Sequence, residues 1–153
     1  MRISVRNEAA LVHKFVEYIP ETLDEGTIYV SLTFATAVHL CCCGCGNDVI
    51  TPLSPTDWKL IFDGETISLH PSIGNWNFSC RSHYWIKHNQ VEWTRQWSDE
   101  EIYAGRFQDM VAKEKYFNNE MKLTNQNTFM ITDKTVHISQ KAKIWQKLKK
   151  WLF

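Results

Sequence analysis

Between residues 27 and 34 apolar and polar side chains alternate, with Ile28, Val30, Leu32 and Phe34 set against Tyr29, Ser31 and Thr33. That period of two is the clearest strand signal in the chain. Residues 15–19 (FVEYI) alternate more briefly and stop at Pro20, which predicts a short strand, although Leu11, Phe15 and Tyr18 also fit a helical stripe. Residues 37–41 continue extended, and residues 49–53 form a β-branched run closed by Pro52 and Pro55. Residues 58–62 and 65–69 flank Asp63-Gly64, a dipeptide that favours a tight hairpin turn. Residues 84–87 and 90–94 form a second such pair about His88-Asn89. The intervening residues 70–79, with Pro71, Gly74 and two asparagines, read as a loop.

The period then lengthens. Ser98-Asp99-Glu100-Glu101 is a capping box, and Tyr103, Phe107, Met110 and Val111 follow at helical spacing. This helix is expected to pack its stripe on the sheet and to end near Asn118-Asn119. Residues 129–132 and 135–139 read as short β-like runs. In residues 141–153, Trp145, Leu148 and Leu152 share a helical face among five lysines, which suits either docking on the same chain or contact with an anionic membrane or acidic partner. The pattern predicts an α+β fold: a small antiparallel β-sheet with helices in the C-terminal half, residues 1–140 as one domain and 141–153 as a basic amphipathic C-terminal helix.

Composition narrows the function classes. Seventeen basic and seventeen acidic residues balance, so no overall field recruits nucleic acid. No window approaches the apolar length of a membrane span, and the first residues lack the apolar run of a signal peptide, so a cytoplasmic, reducing setting is expected.

The five cysteines occupy two places. Cys41, Cys42, Cys43 and Cys45 fall within His39-Leu40-Cys41-Cys42-Cys43-Gly44-Cys45-Gly46, and Cys80 opens Cys80-Arg81-Ser82-His83. In an extended segment alternate side chains share a face, which groups His39, Cys41 and Cys43, while the glycines let the backbone turn to bring Cys45 alongside. Thiolates and imidazoles drawn from two short turns suit zinc, so Cys41, Cys43, Cys45, Cys80 and His83 are five candidates for about four places, with His39 a sixth. An iron–sulfur cluster and plain buried thiols are the competing readings. Disulfides are disfavoured by the odd count and the close spacing.

Residues 27–94 also carry Ile28-Tyr29-Val30-Ser31-Leu32, the cysteine run, Ser68-Leu69-His70-Pro71-Ser72-Ile73-Gly74-Asn75-Trp76, and Cys80-Arg81-Ser82-His83-Tyr84-Trp85. On these motifs the stretch resembles a bacterial family of small proteins encoded beside ubiquitin-like conjugation genes. The resemblance implies a peptidase that trims or removes a ubiquitin-like protein, with that protein and its activating and conjugating enzymes as partners. No His-Glu-x-x-His is present. Two mechanisms are open: a zinc ion with a free position that activates water, or a structural zinc beside a side-chain nucleophile. Ser72 and Ser82 are the candidate nucleophiles, with His39, His70 or His83 as candidate bases, and a thiol left outside the tetrahedron, activated by Arg81 or the metal, is the alternative nucleophile. A zinc-stapled adaptor that uses Trp76 and Trp85 as anchors is the non-enzymatic alternative.

Overall fold

The computed structural model describes residues 10–149, with side chains through Thr124. The chain divides into two compact units, residues 1–106 and 107–153.

The first unit holds eight strands in two sheets. β1 (Val12–Phe15), β2 (Thr27–Ser31), β3 (Thr36–Leu40) and β4 (Asp48–Pro52) lie side by side in that order, β1 parallel to β2 and the others antiparallel. β5 (Lys59–Phe62), β6 (Ile67–Gly74), β7 (His83–Lys87) and β8 (Gln90–Trp93) form an antiparallel meander. Both sheets supply one apolar core, in which Ile28, Val30 and Val49 join Leu69, Tyr84 and Ile86. Each such side chain contributes about 1.5–3 kcal/mol when removed from water. The α+β class expected from the pattern is thus observed, with the strands divided between two sheets.

Local differences from the sequence reading have physical causes. β1 starts three residues before the expected run. All of β2 is buried, because the connection after β1 covers its polar face: the Ser31 hydroxyl donates to the Glu17 carbonyl at 2.6 Å and the Tyr29 hydroxyl to Asp24 at 2.7 Å. Leu32 and Phe34 fall in the turn to β3 and are exposed. Residues 70–74, expected to loop, extend β6 and pair Ile73 with Tyr84 and Gly74 with His83. Pro71 is tolerated because it lies in the irregular register between Leu69 and Ile73, where its missing N–H interrupts no regular ladder. Both hairpins form as expected, and His88 and Asn89 adopt the left-handed backbone that a two-residue turn requires.

α1 (Asp99–Lys149) corrects the reading of the C-terminal half. Its capping box is present: the Ser98 amide donates to Glu101 Oε2 at 2.9 Å, and the Glu101 amide to Ser98 Oγ at 3.3 Å. The helix does not stop at Asn118-Asn119, and the runs at 129–132 and 135–139 are helical. Neither glycine nor proline occurs after Gly105, so nothing interrupts propagation, and the strand preference of isoleucine and threonine is too weak to end a cooperative helix. Residues 150–153, the end of the expected basic helix, lie outside the described residues. No described helix is long and apolar enough to cross a membrane.

Candidate functional site

β3 runs directly into the cysteine loop. The Cys41 amide donates to the Asn47 carbonyl at 2.8 Å, the Gly44 amide donates back to the Cys41 carbonyl at 2.9 Å, and Gly44 and Gly46 take left-handed φ values of 80° and 78°. This curl aims three sulfurs inward. Cys80 arrives from the turn between β6 and β7. The Sγ atoms of Cys41, Cys43, Cys45 and Cys80 all lie within 4.8 Å of one another. Cys41 is 3.4 Å from Cys43 and 3.9 Å from Cys80, and Cys45 is 3.7 Å from Cys80. A tetrahedral ion with metal–sulfur bonds of about 2.3 Å has sulfur–sulfur edges of about 3.8 Å, so these thiols are spaced close to what one metal ion requires. Burial pushes the Cys41 and Cys43 thiols up. At Cys45 burial is the largest single influence and raises the pKa, but hydrogen bonds from the Asn47 amide, Cys43, the Asn47 side chain and Cys80 together outweigh it and bring the thiol down to about 7. Cys42 stands apart, raised by burial to about 12.

Beneath the thiols lies a buried polar network. Ser82 Oγ is 3.1 Å from Cys41 Sγ, and Asn75 Nδ2 donates to Ser82 Oγ at 2.9 Å and to the Tyr84 hydroxyl at 3.3 Å. His39 Nε2 meets that hydroxyl at 2.9 Å, while its Nδ1 is buried with no hydrogen-bond partner among the described residues. Burial lowers the His39 pKa to about 4, so the ring is neutral at pH 7. His39 and Ser82, two of the expected catalytic residues, therefore sit in the interior that supports the thiols.

Ser72 and His83 come together elsewhere. Gly74 pairs with His83 across β6 and β7, and side chains two apart on a strand share a face, which sets Ser72 beside the imidazole. Ser72 Oγ is 2.9 Å from His83 Nε2, and His83 Nδ1 is 2.8 Å from the Arg95 carbonyl oxygen. A carbonyl only accepts, so Nδ1 carries the proton and Nε2 is left to accept from the serine. His83, expected among the metal ligands, thus spends both ring nitrogens outside the thiol cluster. The eleven-residue spacing of Ser72 and His83 matches no motif; only the register of two strands joins them.

Aromatic side chains enclose the imidazole. Trp76 and Trp97 stack at 5.6 Å and stand edge-on to His83 at 4.8 and 5.3 Å. Gly74 and Gly105 make room for them: a Cβ at Gly74 would strike the Trp76 ring, and one at Gly105 would lie 2.9 Å from Trp97 Cζ3. Arg95 is held by Glu101 through two bonds of 2.8 and 2.6 Å. An open recess of about 360 Å³ is lined by Gly44, Cys45, Cys80, His83, Trp93 and Thr94, so the thiol loop and the imidazole border the same space. His70 lies tilted against Trp85, with ring centroids 5.4 Å apart.

No curated protein and no solved structure matches the chain. A family model does match residues 15–94, just over half of the chain, and spans β2 to β8 with both cysteine segments, Ser72 and His83; the chain belongs to that family, described as the bacterial ubiquitination-like system serine protease (BubE).

Proposed function

We propose that this protein is a serine peptidase acting on a ubiquitin-like protein, with Ser72 as nucleophile, His83 as general base and a structural zinc ion in the four-cysteine site. The observation that carries the reading is the 2.9 Å bond from Ser72 Oγ to His83 Nε2, with Nδ1–H donated to the Arg95 carbonyl. That carbonyl does what a carboxylate does in a three-residue triad: it fixes tautomer and ring orientation. The Ser72 oxygen adds to the scissile carbonyl carbon while its proton passes to His83 Nε2, which then delivers it to the departing amine; water hydrolyses the ester and restores both groups. The family description names a serine protease, which favours this route over a zinc-activated water. Four thiolates fill a tetrahedron and leave no open position, so zinc when bound supplies structure.

The substrate class rests on the family's place in a ubiquitination-like system, and its activating and conjugating enzymes are the further partners proposed. The test uses a ubiquitin-like protein carrying a C-terminal extension, together with a fluorophosphonate probe. Release of the extension, and covalent labelling that maps to Ser72, are expected. Binding of the ubiquitin-like protein with neither cleavage nor labelling would replace this reading with the adaptor.

A further inference from the structure

The part of the molecule that the peptidase reading leaves unused is the long helix. Tyr103, Phe107, Met110, Phe117 and Met121 are each at least half exposed. Their spacing of four, three, seven and four residues follows a period of 3.5, the repeat of a two-stranded coiled-coil seam, with Glu114 at the skipped position. Thr124 continues the series, and the sequence keeps the same period at Ile131, Ile138, Ala142 and Trp145. An apolar row with this period, exposed from Tyr103 to Met121, marks an association surface.

Charge identifies the occupant. Residues 99–124 of α1 carry six carboxylates and four cationic side chains; residues 125–149 carry one carboxylate and five lysines. Two copies aligned in parallel would set like charges beside each other, whereas antiparallel copies set the acidic half of each against the lysine-rich half of the other.

We infer that the exposed heptad seam of α1 pairs with the same seam of a second copy as an antiparallel coiled coil. A two-fold axis near residue 126 places position 107 opposite 145, 110 opposite 142 and 121 opposite 131, so seam positions meet seam positions along the helix. The assembly carries two peptidase units, and it does not depend on the catalytic assignment above.

Sedimentation equilibrium on the full chain tests this. The expected mass is twice 18.0 kDa, and added salt should weaken the dimer by screening the paired halves. Phe117→Glu with Met121→Glu should give a monomer whose bound metal and probe labelling are unchanged. A benzophenone side chain at position 107 should cross-link to the tryptic peptide containing residue 145 of the second copy. A wild-type monomer at every concentration would overturn the inference, including one that instead sediments with anionic vesicles. Cross-links joining the two copies at residue 107 would overturn the antiparallel arrangement.

Discussion

Ser72 and Ser82 stand ten residues apart, and removing each hydroxyl should have opposite consequences. Ser72 is half-buried and its hydroxyl has one close partner, His83 Nε2 at 2.9 Å. Replacing it with alanine costs the fold one hydrogen bond, about 1 kcal/mol. The same change removes the nucleophile, so kcat/KM should fall by about 10³-fold or more, some 4 kcal/mol of transition-state stabilisation at the least. Ser82 is buried and contacts Cys41, Cys80 and Asn75 at 3.1, 3.5 and 2.9 Å. Ser82→Ala leaves the Asn75 amide with only its longer bonds to the Tyr84 hydroxyl and Cys41 Sγ, 3.3 and 3.7 Å, and strips a neighbour from two thiols, which should cost about 1–3 kcal/mol of stability. Urea unfolding beside cleavage of the extended ubiquitin-like substrate reads both quantities on each variant. The assignment fails if Ser72→Ala cleaves within tenfold of wild type, or if Ser82→Ala keeps full stability and loses all cleavage.

Three further outcomes follow from the same geometry. Tyr84→Phe takes from His39 Nε2 its hydrogen bond in a ring whose Nδ1 already has none, so urea unfolding should show a loss of about 1–3 kcal/mol. Gly105→Ala should favour the helix by about 1 kcal/mol yet push Trp97 away from His83, raising helix content by circular dichroism while lowering kcat. Hydrogen bonds from Arg95 and from the Ser98 amide hold the Glu101 carboxyl down at about 2, below its ordinary 4.5. A depressed carboxyl stabilises the fold above its ordinary value and loses that contribution as pH falls toward 2, so thermal melts of wild type and Glu101→Gln should differ at neutral pH and converge near pH 2.

What could be read from the sequence was what short-range chemistry encodes. The alternation of residues 27–31, the Asp63-Gly64 and His88-Asn89 turns and the Ser98 capping box are local signals, and each appears in the fold. The cysteine cluster was legible because ligands for one ion must come from tight turns. His83 was misleading for the same reason: its spacing from Cys80 suits a ligand, but as the first residue of β7 it faces Ser72. The serine–histidine pair depends on the register of β6 against β7, which a bulge shifts between Leu69 and Ile73, and no local pattern records that shift. Helix length is harder to read locally, because threonine and isoleucine at residues 128–138 favour strands while only the absence of any glycine or proline beyond Gly105 signals that the helix continues.

The thiol cluster and the serine are coupled through the chain, which changes what a chelator experiment means. Cys41 follows β3 of the first sheet and Cys80 precedes β7 of the second, so an ion held by both ties the two sheets together. His83 is three residues beyond Cys80, and Ser82 between them touches Cys41. If the thiols hold a structural ion, losing it would free the segment that places His83, and chelation should stop cleavage without the metal touching the scissile bond. Metal exchange separates the two roles. Cadmium and cobalt also accept four thiolates, so protein reloaded with either should recover kcat within about twofold of the zinc form if the ion only holds geometry. An ion acting as Lewis acid sets the acidity of its bound water, and exchange would then move kcat by about tenfold or more and displace the pH profile. Such a shift at equal metal content would refute the structural role, and with it the assignment of Ser72 as the attacking group.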